Sequence, residues 1–153
     1  MARHHRPGFA PIEVLVAVVV VVVLATVVLP EFSVSNGDIR LSALKFNLHT
    51  VQSQIDAYRD DHRGRSPALA TFMSQMTNKT DAHGTIGQGS AFRYGPYLQG
   101  PGGINPFNGS NSLKATTATM DTHARTAVDG STGWLYNEAT GDLFPNTPEY
   151  YRD

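Results

Sequence analysis

At 153 residues and a formal net charge of −1, the chain has room for one small domain besides an apolar N-terminal run. It has no cationic excess with which to grip a nucleic acid, so no nucleic-acid partner is expected. There is no cysteine, which excludes a disulfide framework and a thiolate metal site, and the six histidines do not cluster in the sequence.

The first eight residues, Met1-Ala2-Arg3-His4-His5-Arg6-Pro7-Gly8, read as a short basic leader that lacks the apolar core of an ordinary secretory signal. From Phe9 to Leu29 the apolar run is free of charge apart from Glu13. As a helix these residues would extend about 31 Å at 1.5 Å per residue, which matches a hydrocarbon core of roughly 30 Å. Valine runs are poor helix formers in water, but in lipid a helix is the only way for one span to satisfy its own backbone. The run predicts a transmembrane helix over residues 9–30. Arg3 and Arg6, helped by His4 and His5, keep the leader in the cytoplasm, so the remainder lies outside the inner membrane. An ionised carboxylate costs on the order of 2.5–3.5 kcal/mol at a membrane helix centre and less near the interface, so Glu13 calls for a partner. Cutting after Gly8 would free the amine of Phe9 one helical turn from Glu13, or within reach of Glu13 of a neighbouring copy. The plainer alternative is a signal anchor with a stray glutamate.

Pro30 removes a backbone donor and disfavours helix at Leu29, so a bend and a local loss of helix are expected over residues 26–38, with Asn36-Gly37 as a weak point. Asp38 can cap a second helix, 38–63, whose apolar positions Leu41, Leu44, Leu48, Val51, Ile55 and Tyr58 step by threes and fours. Its opposite face carries Arg40, Asn47, Gln54 and Asp61, and Gly64 with Pro67 ends it. Residues 64–111 form a connection that starts with a short helical stretch, about Ala68 to Met76, and continues rich in glycine. In it Tyr94-Gly95-Pro96-Tyr97-Leu98 and Asn105-Pro106-Phe107 read as turns with aromatic anchors. A β-region over 112–145 begins with an exposed Thr-rich strand near Ser112 to Thr119. It ends in a hairpin, Trp134-Leu135-Tyr136-Asn137 and Asp142-Leu143-Phe144 about a turn closed by Gly141. Ser66, Ser74 and Ser110 have neither a nucleophile-elbow setting nor an assigned base, so no catalytic residue is expected. The fold class is therefore α+β: a long bent N-terminal helix, transmembrane in its first half, packed on a small head (31–153) with a short antiparallel sheet or hairpin.

The basic leader, Gly8, Phe9, Glu13 four residues later and the long apolar helix resemble the type IV pilin and type II secretion pseudopilin family. Pro30 falls where that family often carries a bending proline, whereas Pro11 departs from the pattern, although a proline in the first helical turn has no hydrogen bond to lose. The resemblance implies cleavage between Gly8 and Phe9 and N-methylation of Phe9 by a prepilin peptidase. It also implies storage in the inner membrane, single-pass with a cytoplasmic N-terminus and a periplasmic head. Assembly would then give a homopolymer, a periplasmic or extracellular filament, through Phe9 and Glu13, with other pseudopilins and an inner-membrane platform as partners. Ile55-Asp56-Ala57-Tyr58, Gly64, Pro67, the Tyr94 to Leu98 turn, Asn105-Pro106 and the Trp134 hairpin look most like a G-type major pseudopilin, which implies protein secretion. A type IV pilin for adhesion, motility or DNA uptake is the alternative within the family. An anchored periplasmic binding domain or enzyme is the alternative outside it. G-type pseudopilins are known for a calcium in the C-terminal loop, for which Asp121, Asp129 and Asp142 are the candidates here. They are too scattered to be read as one cage of six to eight oxygens, so no cofactor is expected.

Overall fold

The computed structural model describes residues 11–100, 102–119 and 128–151, with backbone only for 24–36, 149 and 151. Helix α1 runs without interruption from Pro11 to Asp61. Proline suits the first turn, where its missing N–H would have no helical acceptor, and the Glu13 carboxylate there favours the positive end of the helix dipole. The expected loss of helix over 26–38 does not occur, and the expected second helix, 38–63, is the later part of α1 rather than an element capped by Asp38. A proline removes one rung from the ladder and leaves its neighbours, while Gly37 costs a helix only about 0.5–1 kcal/mol relative to alanine. The chain divides into two compact units, Met1–Ile39 and Arg40–Asp153.

In the second unit the threes-and-fours stripe is the core face. Leu44, Val51, Ile55 and Tyr58 are buried among Phe72, Met76, Leu98, Trp134, Tyr136 and Leu143, with Leu48 half-buried beside them. Burial of each such side chain contributes about 1.5–3 kcal/mol. The polar face is more engaged than an open helix face. Asn47 donates to the Ile104 carbonyl at 2.7 Å, and Asp61 accepts the Tyr97 hydroxyl at 2.7 Å, so loop residues are tied across it. The helix ends by passing through two left-handed residues, Arg63 (φ 60°) and Gly64 (φ 78°), with the Gly64 N–H closing onto the Arg59 carbonyl at 2.7 Å.

The expected short helix is present as a 3-10 turn, Leu69–Thr71, running into α2, Phe72–Thr77. The Met76 carbonyl accepts both the Tyr97 and Leu98 N–H groups at 2.8 Å, which holds the Tyr94 to Leu98 turn down on α2. Three strands follow: β1 (Leu113–Ala115), β2 (Trp134–Asn137) and β3 (Asp142–Pro145), in the order β1-β2-β3. The hairpin is as expected, with Trp134 opposite Pro145 and Asn137 opposite Asp142, and with Gly141 in the left-handed region (φ 80°). β1, however, pairs parallel to β2, Leu113 opposite Trp134, so the sheet is mixed and not antiparallel. Parallel neighbours need a crossover of a dozen or more residues, which the stretch between Ala115 and Trp134 supplies.

Alternation along the hairpin then buries both faces. Trp134, Tyr136 and Leu143 join the α1 core, whereas Leu135 and Phe144 pack with Ala118 and Val128 of the crossover. The Gln52 amide of α1 covers the edge of β3, accepting from the Leu143 N–H at 3.0 Å and donating to the Gly141 carbonyl at 3.1 Å. A 3-10 turn, Pro148–Tyr151, follows the sheet.

Candidate assembly surface

The described start of α1 is apolar on every side. Ile12, Val14, Leu15, Val16 and each valine from Val18 to Val23 are between 50 and 71% exposed. Successive residues on a helix turn by about 100°, so these ten exposed side chains point in all directions. At about 1.5–3 kcal/mol for fully burying an exposed aliphatic side chain, covering the half to two thirds of each that is exposed is worth roughly 8–18 kcal/mol. Lipid or other protein surfaces have to supply that cover. Among the described residues no helix is long and apolar enough to cross a membrane. The apolar side chains described end at Val23, and the thirteen residues from Pro11 extend only about 20 Å.

Glu13 is the one charge on this segment. It heads a shallow groove lined by Val14, Ala17, Val18, Val21 and Val22, and no described residue bonds to its carboxylate. Gly8 and Phe9 lie outside the described residues, and with them the expected cleavage site and the amine expected to meet Glu13. Pro30 lies within α1.

Of the calcium candidates, the two described, Asp129 and Asp142, are not brought together. Asp121 lies outside the described residues. Asp129 accepts from Lys114 Nζ at 2.7 Å, Asn146 Nδ2 at 2.8 Å and the Ser131 hydroxyl and N–H at 2.7 and 3.0 Å. The Lys114 ammonium, with these donors, holds the Asp129 carboxyl well below the usual range. Asp142 opens β3 and accepts from the Thr140 hydroxyl at 2.8 Å. Asn146, which binds Asp129, lies just past the other end of that strand, about 13 Å away at 3.3 Å per residue, so Asp129 and Asp142 cannot share an ion. Among the described residues no three histidines or carboxylates are grouped to hold a metal.

Two buried polar groups tie the head together: His62, which carries no signal in the sequence, and Asn105, visible there only as part of the Asn105-Pro106-Phe107 turn. His62 is 1% exposed and stacks on Tyr58 with ring centroids 3.7 Å apart, with Tyr94 and Tyr97 edges nearby. Its Nδ1 meets the Tyr58 carbonyl at 2.6 Å, which only a protonated nitrogen can do, and Nε2 meets the Thr80 hydroxyl at 2.9 Å. Burial pushes the neighbouring Tyr58 and Tyr97 phenols up, the latter aided by its bond to Asp61. Asn105, fully buried, donates to the Gly133 carbonyl and the Thr147 hydroxyl at 2.8 Å each and accepts the Phe107 N–H at 3.0 Å. It ties the loop to the β2 entrance, where the Trp134 indole also donates to the Gly103 carbonyl.

The comparisons with known proteins bear on what such an apolar helix is for. The chain is 34% identical over 71 residues to the ComG operon protein 3 homolog of Bacillus licheniformis, covering 46% of this chain and 73% of that protein. It is 28% identical over 78 residues to the competence protein ComGC of Bacillus subtilis, covering 51% and 80%. The chain belongs to the pilin and pseudopilin family. It is a pilin-like structural subunit and not an enzyme. No protein-family model matches the chain, and no solved structure matches it.

Proposed function

We propose that this chain is the subunit of a competence-type pseudopilus, a filament that serves DNA uptake. The observation that carries assembly is the segment Pro11 to Val23, apolar on all sides and marked by a single carboxylate. The choice of DNA uptake over protein secretion follows the relatives, which are named as a competence protein and a ComG operon protein homolog. A secretion pseudopilus is the second reading, favoured by the anchored Tyr94 to Leu98 turn and the Trp134 hairpin, the features that resemble G-type pseudopilins.

In either case the subunit waits in the membrane, single-pass, through the run from Phe9 to Leu29 that is free of charge apart from Glu13, with its head outside. A prepilin peptidase cuts between Gly8 and Phe9 and methylates Phe9. An inner-membrane platform then passes the subunit to the growing end, where other subunits replace lipid around the apolar helix. Glu13 of one copy neutralises the Phe9 amine of the next and so sets the axial register. Leaving either charge buried and unpaired costs on the order of 3–5 kcal/mol, which selects the matched arrangement. Pro30 supplies a bend in α1.

Deletion of the gene in its own host tests the assignment. Uptake of labelled DNA should fall to background and return on complementation, while the set of secreted proteins stays unchanged. Lost secretion with normal DNA uptake would move the assignment to the secretion pseudopilus.

A further inference from the structure

The described sheet stops at β1. Its ladder to β2 uses alternate residues: the Trp134 N–H donates to the Ser112 carbonyl at 3.1 Å, and the Thr116 N–H donates to the Tyr136 carbonyl at 3.0 Å. Leu113 and Ala115, one residue out of that step, turn their N–H and C=O groups away from β2, and no described residue bonds to them. Beside this strand is an open pocket of about 360 Å³, with Leu69, Phe72 and Met73 on one side and Asn111, Ser112 and Leu113 on the other. Leu113 stands opposite Trp134, on the face of the sheet that closes the α1 core, so the pocket carries that core past the edge. Lys114 stands opposite Leu135 on the other face, where Asp129 holds its ammonium at 2.7 Å.

We infer that β1 takes a further strand from outside: a short extended peptide segment of another protein, bonded to Leu113 and Ala115 and placing one aliphatic or aromatic side chain in the pocket. Unpaired N–H and C=O groups at alternate residues complement an extended backbone, whereas a helix keeps its own groups bonded and a lipid chain has none to offer. Leu69, Phe72 and Met73 supply the cover for the apolar side chain of the guest. A second copy of this chain is a poor occupant. β1 against β1 would pair only three residues a side, far below the roughly 1,200–2,000 Å² that a stable interface buries, and such a two-fold pair would close on itself. A short edge that carries a lysine resists sheet growth between copies but still accepts one strand. All of these groups belong to the second unit, so the site does not depend on how the filament is built.

The test titrates the full-length chain in detergent, isotope-labelled at nitrogen, with the blocked peptide acetyl-Lys-Thr-Ser-Thr-Leu-Thr-Ser-Thr-Lys-amide. A second peptide carries aspartate in place of the leucine. The Leu113 and Ala115 amide signals should move saturably with the leucine peptide, and the aspartate peptide should bind about tenfold or more weakly. Ala115→Pro removes one outward N–H and none of the bonds to β2, so it should weaken the leucine peptide about tenfold while the Trp134 emission stays as in the wild type. Two further peptides, N-methylated on one alternate set of residues or on the other, make the same comparison without altering the chain: only one of them should bind. Unmoved Leu113 and Ala115 signals at millimolar leucine peptide, equal affinity for the leucine and aspartate peptides, or N-methylated peptides that behave alike would overturn the strand site. Shifts of these two amides with concentration in the chain alone would assign the edge to a second copy and overturn it as well.

Discussion

Asp129 shows what one side chain does in this head. Its carboxylate gathers Lys114 of β1, Asn146 beyond β3 and Ser131, so a single charge fastens the crossover to both ends of the sheet. Lys114 is the largest cause of its lowered pKa. A folded value below the unfolded one, about 3.9, means that the unfolded chain binds more protons as the pH drops through that range. The stabilisation is therefore complete above about pH 4 and is lost below it. Asp81, lowered by the Thr85 and His83 N–H groups, acts in the same direction. Asp129→Asn should unfold at lower urea than the wild type at pH 7, with the gap narrowing as the pH falls below about 4, followed by fluorescence of the single, buried Trp134. A gap that is constant with pH would mean that the charge does not contribute. From the sequence Asp129 could only be counted among scattered acids, because its partners lie 15 and 17 residues away. The burial of His62, and of Asn105 within its turn, was hidden for the same reason: a polar residue's burial is decided by neighbours such as Thr80 and Thr147 that fold back onto it.

Elements were legible where the pattern repeats within themselves. The stripe from Leu44 to Tyr58 is periodic and became the core face, and the Trp134 hairpin carries both its strands and its closing glycine within a dozen residues. The parallel placement of β1 was not legible, since three residues, two of them exposed, carry no sign of the direction of a partner 21 residues away. Nor was the persistence of α1 through Pro30, which depends on the helical turns either side of it. Two glycines separate these cases. A Cβ on Gly133, at the entrance to β2, would fall on the Ser110 carbonyl, so Gly133→Ala should cost about 1–3 kcal/mol and lower the urea midpoint. Gly37 has open space around it inside α1, so Gly37→Ala should stabilise the helix by about 0.5–1 kcal/mol, read as increased helical signal and slower amide exchange around it. Equal effects at the two sites would contradict this packing.

The whole molecule joins a head that satisfies itself to a helix that does not. Twelve apolar side chains close the core of the second unit and its sheet, whereas ten at the start of α1 remain outside. The leader, Glu13 and the apolar run were readable in the sequence because they are contiguous, and they led to the family that the relatives establish. Whether the filament serves uptake or secretion is set by surfaces that meet other proteins, for which a single chain carries no repeating pattern. The central claim is that Glu13 exists for assembly and not for anchoring. Filament microscopy with membrane fractionation of wild type, Glu13→Gln and Glu13→Leu tests it most directly. A stray charge in an anchor would be relieved by either change, leaving filaments intact. Assembly through Glu13 instead predicts that both variants reach the membrane at wild-type levels and form few or no filaments; normal filaments from both would contradict it.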